Sequence, residues 1–326
     1  MLIAILALDH SAPTGVLVVW DMFSVAASLV NKPRNNAGLK ACETRIVTVD
    51  GNPLRYSDFL EIKPHGSIDE VREPDLIIVP SGGYRESRLR RYPERLKTWL
   101  AAQHHQGVPV AGICTGVFLL AESGILEGRK ATTHWAFADV FRRHYPSVDF
   151  TPEKIITQDR NIYCSGGGSA GVDLTLLLIE RHFGPEPARL LSRMFLLERG
   201  RNEQNPYMDS RFEKNHKDPD ILKAQAFIET RMTEDIFMDH VASHVGMSLR
   251  NFKRRFKAAT GESPLAYLQK LRMEKAKLIL EHDDVSIDML ARQVGYEDLG
   301  FFRKLFARHT GVNPRDYRRR FRNNAA

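Results

Sequence analysis

Ala242-Ser243-His244-Val245-Gly246-Met247-Ser248 and Ala291-Arg292-Gln293-Val294-Gly295-Tyr296-Glu297 stand 49 residues apart, and the residues after each of them also repeat. The first continues to Phe252, Phe256, Gly261, Pro264 and Tyr267, the second to Phe302, Phe306, Gly311, Pro314 and Tyr317, now at an offset of 50. Each copy reads as a short apolar helix, a Gly suited to φ > 0 at a sharp turn, and a second helix whose aromatics, four apart, press one face into a small core. The opposite face is basic: Arg250, Lys253 and Arg254 behind an N-cap Ser248, then Arg303, Lys304 and Arg308. Gly261 and Gly311, each followed three residues on by Pro, read as helix stops. The pattern predicts helix-turn-helix units at about 237–261 and 286–311, joined by an amphipathic helix at about 264–281. That connecting helix carries Leu265, Leu268, Leu271, Leu278 and Leu280 among Lys270, Arg272, Lys275 and Lys277.

From about Ile221 to Phe321 the chain resembles the DNA-binding domain of AraC/XylS-type transcription regulators, on Gly295-Tyr296-Glu297-Asp298, Phe302, Phe306 and Gly311 through Arg318. The resemblance implies double-stranded promoter DNA as partner, with two major-groove half-sites per chain. It also implies a DNA-binding set of Ser248, Arg250, Lys253 and Arg254 on the first unit and Leu299, Gly300, Arg303 and Lys304 on the second. Charge agrees independently: residues 217–326 hold 21 Lys+Arg against 15 Asp+Glu, and the rest of the chain 26 against 25. A basic third on a neutral body is the footprint of a protein that holds phosphates. The arginines at 318, 319, 320 and 322 are suited to backbone phosphate or solvent rather than to base reading.

The preceding body reads as α/β. Strand-like runs at Ile3–Leu8, Ile46–Val49, Leu76–Val79, Val108–Ile113 and Ile162–Cys164 alternate with helical patterns at Val16–Asn31, Pro93–His105, Val117–Ser123, Trp135–Arg143, Gly171–Phe183 and Pro187–Leu197. Such alternation predicts a mainly parallel, doubly wound sheet of flavodoxin-like type, covered on both faces. The expected division is 1–198, a polar linker at 199–219, and an all-α domain at 220–326. The apolar opening of eight residues reads as a first strand, and no stretch is expected to have membrane-spanning length. Cys42, Cys114 and Cys164 are too scattered for a metal site; no metal or cofactor is expected, and a reducing cytoplasm suits them.

Val110-Ala111-Gly112-Ile113-Cys114-Thr115-Gly116 has the form of a nucleophile elbow, a strand turning sharply into a helix with Cys114 at the bend, where the helix field would favour a thiolate. With Val79-Pro80-Ser81-Gly82-Gly83, Thr132 to Trp135 and Gly166 to Asp173, it resembles the PfpI-like branch of the class I glutamine amidotransferase superfamily. The pairing with a DNA-binding half is similar to GlxA-like regulators. The resemblance implies a ligand pocket at Gly82, Gly83, Cys114, Thr115 and His134. Hydrolytic members carry a His directly after the nucleophile and a Glu early in the first helix. Here Thr115 follows Cys114, and the nearest acids are Asp9 and Asp21. A non-catalytic elbow is therefore expected, with Cys114 and His134 as vestiges.

Three function classes remain. The favoured one is a ligand-responsive, sequence-specific transcription regulator, dimeric, cytoplasmic, with RNA polymerase as a further partner and no membrane contact. The second is an active Cys-dependent amidase or deglycase with an accessory DNA-binding domain. The third is a regulator whose N-terminal domain only dimerises. For the first, the resemblance implies a small nitrogenous effector, and Trp20 and Trp135 lie near the pocket segments in sequence, where an aromatic face would suit a quaternary ammonium.

Overall fold

The computed structural model describes residues 1–9, 11–30, 42–58, 60–83, 90–197, 200–210, 212, 214 and 216–322. Asn31 of the expected first helix, and Arg199, Arg211, Glu213 and Asn215 of the expected linker, lie outside them. The chain divides into two compact units, Met1–Gln204 and Asn205–Ala326.

In the first unit the strands are β1 (Leu2–Leu6), β2 (Glu43–Thr48), β3 (Leu54–Ser57), β4 (Leu60–Ile62), β5 (Gly66–Ser67), β6 (Leu76–Val79), β7 (Val110–Ile113), β8 (Lys130–Ala131), β9 (Asp149–Phe150), β10 (Ile156–Asp159) and β11 (Ile162–Ser165). Its helices are α1 (Pro13–Val30), α2 (Glu94–His105), α3 (Gly116–Glu122), α4 (Ala138–His144), α5 (Ser169–Phe183) and α6 (Pro185–Met194). A seven-stranded sheet runs β10-β11-β7-β6-β1-β2-β5, parallel except where β10 pairs β11. Its central strands β6 and β7 are buried throughout, as strands covered on both faces must be. One apolar layer joins α1, α5 and α6 to the sheet through Phe23, Leu174, Phe183 and Leu191; the other joins α2, α3 and α4 through Leu96, Phe118 and Phe141. The order reverses between β1 and β6, which places a crevice at the carboxyl ends of these strands.

Two readings of this unit need correction. Helix α1, with 18 residues and a mean hydropathy of 1.6, does reach membrane-spanning length. In the fold it is a core helix, packed on α5 and α6 with Val16, Val19, Met22, Phe23 and Ala26 buried. The short pairs β3/β4 and β8/β9, and the strands β5 and β10, were not foreseen, because two to four residues carry too little alternation to register.

The second unit is built from α7 (Pro219–Arg231), α8 (Met238–His244), α9 (Leu249–Thr260), α10 (Pro264–His282), α11 (Ile287–Gln293), α12 (Leu299–Thr310) and α13 (Pro314–Phe321). Helices α8/α9 and α11/α12 are the two helix-turn-helix pairs and α10 joins them. Each pair has its own core, one around Phe252, Phe256 and Tyr267, the other around Phe302, Phe306 and Tyr317. The duplication extends to side-chain bonds. Thr260 Oγ1 donates to Phe256 O and Thr310 Oγ1 to Phe306 O, both at 2.8 Å, while Tyr267 and Tyr317 donate to Glu229 and Glu281 at 2.5 and 2.6 Å. Helix α10 departs from its expected amphipathic division. Leu265 and Leu278 are 52% and 57% exposed, whereas Arg272 and Lys277 are 9% and 5% exposed.

Candidate functional sites

The elbow forms where β7 ends. Cys114 holds φ at 57°, a left-handed conformation that costs a non-Gly residue of order 1–3 kcal/mol and persists only where its surroundings enforce it. The turn that follows runs close against β6: a Cβ on Gly116 would fall 2.2 Å from Val79 O and 2.4 Å from Pro80 O, so only glycine fits there. Cys114 N donates to Ser165 O, and Thr133 Oγ1 donates to Cys114 O at 2.6 Å. Thr115 is fully buried; its hydroxyl donates to Gly83 O and shares a 2.9 Å bond with Ser81 Oγ. Thr115 is thus a tie between the carboxyl ends of β6 and β7.

Cys114 lines a cleft of 250 Å³ together with Ala12, Gly15, Val18, Ser81 and Val172. The amino ends of α1 and α5 flank it, with Thr14, Gly168 and Ser169 among the lining residues. Of the five residues expected in the pocket, only Cys114 lines this cleft. Gly82 lines a neighbouring cavity of 540 Å³ at the ends of β1, β2 and β6, beside Asp9, Asp50 and Tyr92. Gly83 accepts from Thr115, and His134 stands beside Cys114 across Gly167, where a Cβ would meet His134 Cδ2 at 2.4 Å and Cys114 Sγ at 2.7 Å. Trp20 packs against the α1 core and Trp135 stacks on His134 at 5.3 Å, so neither tryptophan lines the cleft.

The expected thiolate does not fit these surroundings. Burial pushes the Cys114 thiol up, against the opposing pull of bonds from Ser81 and Thr115. His134 Nδ1 accepts from Ala136 N at 3.1 Å, capping the next turn of the chain.

Gln204 was hidden inside the expected linker. It is 4% exposed, and its Nε2 lies within hydrogen-bond reach of Thr132 Oγ1, Thr133 O, Pro152 O and Lys154 O while its Oε1 accepts from Trp135 N. The loop that carries His134 is therefore held from behind by the last residue of its unit. The segment after it packs in the second unit: Lys277 donates to Met208 O, and Ser210 donates to Glu274.

On the second unit, Ser248 caps α9 by accepting from Asn251 N, and Arg250, Lys253 and Arg254 stand exposed, with Arg254 donating to Asn251 Oδ1. The neighbouring Arg255 is paired with Asp218 and Asp220, which removes it from the basic face. Asp298 caps α12 by accepting from Phe301 N; Gly300, Arg303 and Lys304 are exposed and Leu299 is half-buried. Phe301, on the same helix but off the Phe302/Phe306 spacing, is 46% exposed.

An α/β body with a strained Cys elbow, followed by a duplicated helix-turn-helix unit, defines a class of two-domain DNA-binding regulators. The helix-turn-helix domain model matches residues 241–320 and the DJ-1/PfpI family model residues 3–181. The HTH-type transcriptional regulator GbdR of Pseudomonas aeruginosa is 32% identical over 277 residues, spanning 83% of this chain and 73% of that one. Isonitrile hydratase of Pseudomonas putida is 30% identical over 156 residues, spanning 48% of this chain and 66% of that one. Among solved structures, an AraC family transcriptional regulator from Pseudomonas putida shares the fold, with a TM-score of 0.51 and 22% identity over 60% of this chain and 98% of that one. The chain belongs to the DJ-1/PfpI family, as an HTH-type transcription regulator that joins such a domain to an AraC-type DNA-binding domain.

Proposed function

We propose that the cleft beside Cys114 holds a small effector without turning it over, and that occupancy alters promoter binding by the second unit. The observation that carries this reading is the elbow itself: a strained, buried Cys114 with its thiol pushed up, beside a His134 whose Nδ1 accepts from Ala136 N. Strain kept in place without a reactive thiolate suits a binding surface better than a nucleophile. The cleft's apolar walls and two helix amino ends favour a compact molecule with a carboxylate, such as a small amino acid or betaine.

A thermal-shift screen of the full chain against amines, amino acids and betaines tests this. A specific compound should raise the melting temperature, change promoter affinity and be recovered unconsumed. Truncation at residue 200 is unsuitable, because it would remove the Gln204 support. The likeness to isonitrile hydratase favours a second reading, residual catalysis at Cys114. Steady turnover that Cys114→Ser abolishes would establish it in place of the first.

On DNA, we infer two half-sites per chain, read by α9 and α12 in successive major grooves about 34 Å apart. Arg250, Lys253 and Arg254 face bases in one, and Leu299, Gly300, Arg303 and Lys304 in the other. Dimerisation, contact with RNA polymerase and a cytoplasmic location rest on the family resemblance; light scattering, transcription in vitro and cell fractionation test them.

A further inference from the structure

Arg272 sits in the middle of α10, a helix otherwise legible as a connector, and all three of its guanidinium nitrogens are engaged. Nε donates to Met232 O at 2.6 Å, Nη2 to Glu234 O at 2.7 Å and Nη1 to Gly295 O at 3.0 Å. Its Cζ lies 5.0 Å from the centroid of the Tyr296 ring. Met232 caps the carboxyl end of α7, where helix carbonyls concentrate partial negative charge, and belongs to the first helix-turn-helix core. Gly295 and Tyr296 form the turn between α11 and α12, in the second. A single buried cation therefore binds backbone of both units. The turn accommodates it: a Cβ on Gly295 would fall 2.9 Å from Arg272 Cζ and 2.9 Å from Thr233 O. At the equivalent Gly246 a Cβ would meet nothing within 4 Å.

We propose that Arg272 is a positioning residue for DNA reading: by fastening the α11/α12 turn to the end of α7, it fixes the separation and angle of the two recognition helices. A helix such as α10 sets distance along its own axis but leaves each unit free to pivot on it. Three carbonyls held by one planar fork remove that freedom. The fork also explains the residue type, because a Lys ammonium offers its donors from one point and cannot reach three carbonyls spread in a plane. The consequence is a fixed spacer between half-sites, a deepening of the two-groove reading on which it rests.

The test uses the full chain with spin labels at Ala258→Cys and Arg308→Cys, exposed positions on α9 and α12; the native cysteines are buried. The parent should give one narrow label-to-label distance, and Arg272→Met a broadened or shifted one. Arg272→Lys should broaden it too, and decides the matter if circular dichroism shows Arg272→Met unfolded. Unchanged distributions in folded variants would overturn the proposal. In parallel, binding sites are selected from random DNA. The parent should enrich one spacer at least about tenfold over its one-base-pair neighbours, and Arg272→Lys should cut that preference to about twofold. Equal spacer preference in both proteins would also overturn it. Selection of single half-sites by the parent would sink the two-groove reading, while the label distances still decide what Arg272 does.

Discussion

The two helix-turn-helix units differ far more in what they show to solvent than in how they are built. Their threonine, tyrosine, Pro and αL-Gly positions repeat with the same bonds at nearly the same lengths. Their outer faces repeat only in part: Lys253 and Arg254 match Arg303 and Lys304, but α9 begins Leu249-Arg250-Asn251 where α12 begins Leu299-Gly300-Phe301, and Arg255, paired with Asp218, becomes buried Leu305 at the matching position. Duplication has kept the bonds that close each core and released the residues that do not. The scaffold is thus specified twice, whereas each reading face is specified once.

The sharpest break in the comparison should come at the two turn glycines. Both hold positive φ, 67° at Gly246 and 85° at Gly295, so alanine is strained at either, by about 1 kcal/mol. Only Gly295→Ala also drives a Cβ against Arg272 and Thr233. Chemical denaturation should show it costing several kcal/mol, beyond the backbone strain of Gly246→Ala. Equal losses would mean that the Arg272 contact relaxes freely.

A second asymmetry is acidic. Glu274 stands seven residues before Glu281, and the matching position in the first copy, seven before Glu229, is the apolar Leu222. Burial would raise the Glu274 carboxyl, but hydrogen bonds from His309, Lys277 and Ser210 outweigh it and hold the group at about 2. A carboxylate held below its ordinary value contributes stability above that value and loses it as pH falls towards the folded value. Between pH 4.5 and about 2 the second unit should lose on the order of 3 kcal/mol through this group. Glu274→Gln should flatten that limb of the stability profile; an unchanged limb would remove Glu274 from the account.

Smaller effects should separate base reading from phosphate neutralisation. Arg254→Ala should cost about 1–3 kcal/mol at the cognate site and relax one base preference in competition binding. Arg319, 76% exposed beside Asp316, should matter least: its alanine variant weakens all sequences alike and lowers the salt slope by about one unit. Sequence-dependent loss at Arg319 would blur the distinction.

The same contrast explains what could be read in the chain beforehand. The helix-turn-helix units were legible because aromatic spacing, caps and stops occur twice in register. The elbow was legible because two glycines bracket Cys114. Arg272 was not: in sequence it is one more cation on an amphipathic helix, and burial depends on carbonyls supplied 40 residues before it and 23 after. Gln204 sits in a polar stretch that has a linker's composition, and its partners lie 50 to 72 residues upstream. The Cys114 thiol was misjudged because the helix field can be read from local sequence, while desolvation depends on the packed surroundings.

A hydroxyl-radical footprint of the full chain on its selected site, for the parent, Arg254→Ala and Arg303→Ala, tests the unequal pair of readers most directly. The account predicts two protected patches on one face of the duplex about one helical turn apart, with Arg254→Ala eroding one patch and Arg303→Ala the other, the first more severely. A single patch, or the same erosion of both patches by either substitution, would contradict it.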